Sequence, residues 1–134
     1  MARAKKTRMK KSNPRMERCT EIVREMPGTG RYLHGDHAGF TVHKKKFAYF
    51  LNDHHGDGIV SIACKVMPGD NKSLAAAQPD RYYLPAYVGP MGWVALRLDR
   101  GAIDWEEVRE LLRTSYVLLA PKKLARVVME EEAE

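Results

Sequence analysis

Two segments rich in aromatic and β-branched residues, 46–52 and 59–66, flank the polar sequence NDHHGDG. Segments of this composition are typical of β-strands, and a short linker dense in Asn, Asp and Gly is typical of the turn between antiparallel strands. The region therefore predicts a β-hairpin with a polar tip. The rest of the chain is expected to complete an antiparallel sheet around this hairpin.

A helix is predicted in the segment SNPRMERCTEIVREMPG. Ser12 or Asn13 can cap it, Pro14 suits its first turn, and Pro27 with Gly28 ends it. Apolar residues recur at helical spacing in this segment: Met16, Cys19, Ile22, Val23 and Met26. The stripe predicts a helix that packs one side against a core.

A second and clearer helix is predicted from Asp104 onward. Asp104 and Glu107 resemble a capping box, and Ile103 can pack against Val108 at the start of the helix. One face of this helix is apolar, with Val108, Leu111, Leu112, Ser115, Tyr116 and Leu119. Pro121 interrupts it, and the segment 122–129 predicts a short last helix.

Shorter elements complete the order along the chain. Asp70 or Asn71 can cap a short helix that ends before Pro79. A strand is predicted over 92–99, and others are expected near 31–33 and from Phe40. The order helix, strands, helix, strands, helix predicts an α+β domain of two layers, an antiparallel β-sheet with helices packed on one face.

The charge of the chain is concentrated at its ends. The chain has 134 residues and a net charge of +6, and residues 1–11 hold six basic residues and no acidic one. We interpret residues 1–12 as a basic flexible arm, 13–128 as a single domain and 129–134 as an acidic tail. The arm either attracts polyanions without reading their sequence or serves only as a solvated tail.

Membrane and secreted proteins are disfavoured by the sequence. No apolar run approaches the roughly 20 residues of a membrane span, and the basic N-terminus lacks the apolar stretch of a secretory signal. Cys19 and Cys64 are the only cysteines, and two cysteines without an export signal are typical of reduced thiols in the cytoplasm. We therefore expect a cytoplasmic protein with no membrane partner.

Motifs for catalysis are missing from the sequence. The chain has no G-x-S-x-G, P-loop or G-x-G-x-x-G sequence. Cys64 lies in the apolar phase of a strand, where a cysteine acts as a small buried side chain, and Ser115 lies in an apolar helix stripe. We expect a protein that is not an enzyme and uses no cofactor.

The histidines raise the question of a metal site. His34 and His37 lie in a glycine-rich loop, and His54 and His55 lie at the predicted hairpin tip. A zinc site is usually built from cysteines or from histidines on a rigid helix, and adjacent histidines on a turn cannot easily share one ion. We interpret the four as polar turn residues and expect no metal.

Two stretches of the chain resemble the MmcQ/YjbR-like family. FTVHKKKFAYF is similar to the f.V..K.FAyl segment of that family. GWVALRLDRGAIDWEEVRELLRTSYVLLAPKKLAR is similar to its C-terminal half, where a tryptophan-led strand runs into an acidic-capped helix, an SY pair and a P-K segment. The MPG after the first helix also fits. The resemblance covers about residues 14–127, and VHKKK departs from it because a glycine usually precedes the lysine.

The resemblance implies a compact α+β fold of secretion-chaperone-like (YjbR-like) topology. It also implies DNA binding through a double wing of β-structure. It offers no catalytic residues to carry over to this chain.

Strand alternation predicts a basic face on the sheet. Phe47, Tyr49 and Leu51 are expected to face the helices. The opposite face would then display Lys46, Phe50, Lys65, Trp93 and Arg97. Basic groups neutralise phosphates and aromatic rings stack on bases, which favours a binding face. The alternative is a face covered by a loop, by a tail or by a second subunit.

We therefore predict a DNA-binding, or more generally nucleic-acid-binding, protein. Its predicted contacts are Lys44, Lys45, Lys46, Lys65, Trp93 and Arg97. Because the hairpin tip carries Asp53 and Asp57, nucleic acid is expected at the opposite end of the hairpin. The alternative function is a protein-partner-binding or chaperone-like adaptor that uses the open sheet face, and a homodimer is one such arrangement.

Overall fold

The computed structural model describes residues 13–133, so the predicted basic arm, 1–12, lies outside the described residues. The helices are α1 (Pro14–Val23), α2 (Asp70–Ala77), α3 (Trp105–Leu119) and α4 (Lys122–Ala133). The strands are β1 (Thr29–His34), β2 (His37–Val42), β3 (Lys45–Asn52), β4 (Val60–Lys65), β5 (Tyr82–Tyr83) and β6 (Trp93–Arg97). Single 3-10 turns occur at His54–Gly56 and Gly89–Met91.

The six strands form one sheet in the order β1-β2-β3-β4-β6-β5, and every neighbouring pair is antiparallel. The predicted hairpin is its centre, because β3 and β4 pair from Ala48 with Cys64 to Asn52 with Val60. Together with the helices this sheet confirms the predicted α+β fold.

Helices α1 and α3 begin directly after the capping residues predicted for them. The side chain of Asn13 accepts hydrogen bonds from the backbone N–H groups of Arg15 and Met16, and Asp104 does the same for Glu106 and Glu107. The Glu107 side chain does not complete a capping box. It accepts hydrogen bonds from Arg81 and Tyr82 instead, which joins α3 to β5.

The core lies between the sheet and the helices. Its largest fully buried side chains include Phe40, Phe47, Phe50, Ile62, Leu112 and Tyr116. The rings of Phe47 and Tyr116 meet edge to face at 5.6 Å, and the Tyr116 hydroxyl donates to the carbonyl of Pro27 at 2.6 Å. Tyr116 therefore connects α3 to the sheet through Phe47 and to the segment after α1 through Pro27.

A β-bulge reverses part of the predicted facing of β3. Phe40 pairs with Ala48 and Thr41 pairs with Lys46, so Phe47 is an extra residue on this strand. Phe47 faces the helices as predicted, but beyond it Ala48 and Phe50 join the main core. Tyr49 and Leu51 belong to the cluster on the opposite face. The predicted outward position of Phe50 is therefore wrong, because one extra residue shifts the alternation.

The last helix is longer than predicted. Helix α4 continues to Ala133 and includes most of the segment that the sequence set apart as an acidic tail. Ala125 and Val128 are buried, and the carboxylate of Glu132 lies 3.5 Å from the guanidinium of Arg113 on α3. Packing against α3 therefore orders residues whose composition alone is typical of a solvated end.

Candidate nucleic-acid interface

Three consecutive lysines, Lys44, Lys45 and Lys46, lie in the turn between β2 and β3 and at the start of β3. We call this segment the lysine turn. Val42 pairs with Lys45, which leaves only His43 and Lys44 in the turn. His43 takes the left-handed conformation, with φ of 56°, which residues other than glycine rarely adopt. Its backbone N–H donates to the carbonyl of Gly28 at 3.1 Å. The chain after α1 thus holds the lysine turn in place.

The lysine turn forms one wall of a groove whose other wall is the junction between α3 and α4. We call it the lysine groove. It encloses about 700 Å³ and is lined by Val42, His43, Lys44, Lys45, Lys46, Leu119, Ala120, Pro121 and Lys122. All four lysines are exposed, and no carboxylate of the described residues lines the groove. The groove is therefore a concentrated patch of positive charge.

Helix α4 adds to this positive potential. It begins at Lys122, and no acidic residue lies in its first turn. The N-terminus of a helix carries a partial positive charge, so a lysine there is usually unfavourable and an anion is favourable. Lys122 and the helix end that bears it thus act together on any anion in the groove.

Lys46 is oriented by an aromatic neighbour. Its Nζ lies 5.3 Å from the centre of the Tyr32 ring, and a hydrogen bond with Tyr32 is the main reason that the pKa of Lys46 is raised. The Tyr32 ring lies directly over Gly39, where a Cβ atom would fall 2.2 Å from it. The absence of a side chain at Gly39 therefore makes room for the ring that supports Lys46.

The predicted site residues Lys65, Trp93 and Arg97 lie on the same sheet face as Lys46, as the sequence indicated. Lys65 pairs with Trp93 across β4 and β6, and its Nζ donates to the carbonyl of Met91 at 3.1 Å. Arg97 donates two hydrogen bonds to Asp99, at 3.0 and 3.1 Å, and these hydrogen bonds lower the pKa of Asp99. The charge of Arg97 is therefore balanced locally.

Trp93 is covered by the chain itself. Only 6% of Trp93 is exposed, and it packs in a small cluster with Tyr49, Val88 and Leu119. The buried amide of Asn71 on α2 donates to the carbonyls of Gly89 and Trp93, which ties down the covering segment. Of the two arrangements considered for this face, the described residues show the covered one at Trp93. Its ring does not offer a flat surface to a base.

The histidines meet around the other end of β3. The Nδ1 atom of His37 accepts a hydrogen bond from the backbone N–H of Asn52 at 3.1 Å. The ring of His54 lies 5.3 Å from His37 and 3.9 Å from His55, centre to centre. Across residues 13–133, no group of three or more His, Cys, Asp or Glu side chains is arranged to hold a metal ion.

Cys64 and Ser115, the nucleophiles considered from the sequence, are both used in packing. Burial raises the pKa of the Cys64 thiol to about 12, and its sulfur donates to the carbonyl of Leu111. The Ser115 hydroxyl donates to the carbonyl of Phe47 at 2.6 Å and accepts from the backbone N–H of Lys65 at 2.9 Å. It joins α3 to β3 and β4 at the bulge.

Sequence reasoning found the three lysines of the turn but missed two features of this interface. Lys122 is distant in sequence and joins the others only because α4 begins beside the turn. Asp99 lies two residues after Arg97, so their ion pair could have been predicted from the sequence.

Comparisons with known proteins agree with this fold. A model of the YjbR family matches residues 24–118. The crystal structure of the Deinococcus radiodurans protein DR2400, which carries a DUF419 domain, is similar with a TM-score of 0.65 and 23% sequence identity. The alignment covers 90% of this chain and 91% of that one. No curated protein matched the chain. None of the helices within residues 13–133 is long and apolar enough to cross a membrane.

Proposed function

Because this chain belongs to the YjbR family, we propose that it is a nucleic-acid-binding protein and that its ligand is DNA. The observation that supports this most is the lysine groove, where Lys44, Lys45, Lys46 and Lys122 surround about 700 Å³ without a carboxylate. Such a groove attracts phosphates, and the net charge of +6 adds a favourable long-range potential.

The groove suits contacts to the phosphate backbone better than contacts to bases. Lysine is a point charge on a flexible stem, and it neutralises phosphates without distinguishing one base from another. Trp93, the aromatic residue that the sequence predicted to stack on a base, is buried under its own chain. We therefore propose binding that depends strongly on salt and weakly on sequence.

We further propose that the protein binds and does not catalyse, and that it acts in the cytoplasm. Cys64 and Ser115 are engaged in hydrogen bonds within the core. Cys19 and Cys64 are both free and buried, which is typical of proteins from a reducing compartment.

The test is a triple variant, Lys44→Ala, Lys45→Ala and Lys46→Ala, in the full chain. Binding to a fluorescent duplex DNA is measured by anisotropy between about 50 and 200 mM salt. We expect the affinity at low salt to fall by about tenfold or more and the salt slope to decrease by about 0.9 for each lysine that meets a phosphate. The same measurement with single-stranded DNA and with RNA of equal length compares the ligand types.

The matched control removes three positive charges elsewhere, through Arg24→Ala, Lys72→Ala and Arg100→Ala. These side chains are exposed and lie outside the groove. A nonspecific effect of net charge would weaken binding equally in both variants and would contradict the groove as the site. If neither variant changes binding, the folded domain does not contact DNA. The partner-binding adaptor, including a homodimer, then becomes the better explanation.

A further inference from the structure

We propose that a second site, at the opposite end of β3, binds a small planar aromatic amine. The site is a cleft on the outer face of the sheet, between the hairpin tip at 53–58 and the segment 85–88, and we call it the tip cleft. It encloses about 400 Å³, within the usual range for sites that hold small molecules. The proposal is independent of DNA binding, because the tip cleft and the lysine groove share no residue.

The shape of the tip cleft suits a flat ring. Tyr49, Ala63, Ala95 and Tyr83 lie side by side across four strands of the sheet. The two tyrosines are three strand spacings apart, roughly 14 Å between backbones, and small side chains lie between them. Ala63 is fully buried beneath the cleft, and Tyr87 and Val88 lie along its outer side. Tyr49, Tyr83 and Tyr87 all line the cleft, so a planar group that enters it can contact tyrosine rings.

The charge of the tip cleft selects the class of ligand. Among residues 13–133, Asp57 is the only carboxylate that lines the tip cleft, and no lysine or arginine lines it. One oxygen of Asp57 accepts the backbone N–H of Ile59 at 2.9 Å. A carboxylate has capacity for further donors, so an ammonium group can bind the same side chain. Aromatic faces also attract cations. A ligand with a single positive charge is favoured, and a ligand with a carboxylate is repelled.

His54 does not oppose a cation at neutral pH. Burial lowers the pKa of His54, and the neighbouring His55 and His37 lower it further. Because its pKa is lowered, the imidazole of His54 is uncharged at neutral pH and offers one acceptor and one donor.

The backbone around the tip cleft is held in costly conformations. In the described part of the chain, four residues other than glycine have positive φ, and two of them line this cleft: His55 at 57° and Tyr87 at 70°. Tyr87 is also 80% exposed, so burial does not explain its conformation. Residues in sparsely populated conformations cluster at ligand sites, where the surrounding structure holds them in place.

The test uses three compounds that share the indole ring and differ in side chain and charge: tryptamine (positive), indole (neutral) and indole-3-acetate (negative). Each is titrated into the full chain at neutral pH, and binding is followed by ligand-observed NMR and calorimetry. We expect tryptamine to bind most tightly, indole less so, and indole-3-acetate at least about tenfold more weakly than tryptamine. Equal affinity for the amine and the acid, or binding by none of the three at millimolar concentration, would overturn the proposal.

Two variants locate the binding. Asp57→Asn keeps an acceptor for the Ile59 N–H but removes the charge, so it should weaken tryptamine and leave indole unchanged. Tyr87→Gly removes the ring while relieving the positive φ, so the fold is retained and all three ligands should bind more weakly. Asp36→Asn, an exposed aspartate in the turn between β1 and β2, is the control and should change nothing. Unchanged binding in Tyr87→Gly would place the ligand elsewhere and refute the tip cleft.

Discussion

The two ends of β3 carry turns of similar backbone strain and opposite character. At its start, His43 adopts a left-handed conformation and three exposed lysines follow. At its end, Asp53 and His55 adopt the same conformation, but the side chains there border an apolar cleft with one carboxylate. A positive φ therefore does not identify what a turn binds. The neighbouring elements decide it, because α4 adds Lys122 at one end and the segment 85–88 adds aromatic cover at the other.

The two ends also differ in how the protein exposes its charges. The lysines of the groove have no acidic neighbour lining the same groove, whereas Arg97, on the covered part of the face, is paired with Asp99. An unneutralised charge in solvent acts over roughly 10 Å at moderate salt, and a paired charge acts much less. The proposed DNA contact is therefore expected at the first region and not at the second.

The largest effect is expected from Phe47→Ala, because Phe47 is the extra residue of the bulge and packs in the core. The ring is fully buried against Tyr116. Its removal should lower the free energy of unfolding by about 3–5 kcal/mol. Urea denaturation measures this loss. Leu33→Ala, at a side chain exposed on β1, is the control and should stay within about 0.5 kcal/mol of the parent.

Deletion of residues 1–11 should weaken the DNA binding proposed for the lysine groove and leave ligand binding at the tip cleft unchanged. These residues carry six basic groups, so their removal should weaken DNA binding about tenfold at low salt and reduce the salt slope. Thermal unfolding and tryptamine binding should not change. A large drop in melting temperature would show instead that the segment is docked on the domain, against the prediction of a basic arm.

His43→Gly should stabilise the lysine turn. Glycine adopts positive φ without the steric cost that histidine bears, so the free energy of unfolding should rise by about 1 kcal/mol. Lys44→Gly is the matched control, since Lys44 is not among the residues of positive φ, and it should be destabilising by about 0.5 kcal/mol. If both glycines act alike, strain at His43 is not the cause.

Arg97→Ala should have little effect on DNA binding, within about twofold, because Asp99 already balances the guanidinium. Asp99→Asn would leave Arg97 without its ionic partner and should strengthen binding slightly at low salt. Anisotropy with the same duplex measures both. A tenfold loss in Arg97→Ala would mean that the covered face opens to receive DNA, and the contrast between the two regions would then fail.

The smallest effect concerns pH at the hairpin tip. Because the pKa of His54 is lower in the folded protein than its ordinary value of about 6.5, the unfolded chain takes up a proton first as the pH falls. The free energy of unfolding is therefore highest at a pH above the ordinary pKa of histidine, and it decreases as the pH falls through that pKa. Chemical denaturation at pH 7.5 and 5.5 should show a smaller loss in His54→Gln than in the parent or in the control His34→Gln. An equal loss in all three would assign the dependence to other groups.

The amino-acid sequence by itself determined the α+β fold, the central hairpin, both long helices and the phases of β4 and β6. Turn residues, caps and alternation are local, so they can be read without knowing what packs where. The three lysines of the turn and their distance from the acidic tip were also visible in the sequence. Only the tertiary structure decided the facing of Phe50, because the bulge that shifts it depends on Phe47 packing against α3.

Long-range packing likewise decided what each end of the sheet can bind. Lys122 reaches the lysine groove through the placement of α4, and Trp93 is covered by a segment anchored through Asn71. The tip cleft joins the hairpin tip to residues 85–88, about thirty positions later in the chain. Such contacts arise from burial shared among distant segments, and no pattern within one segment records them.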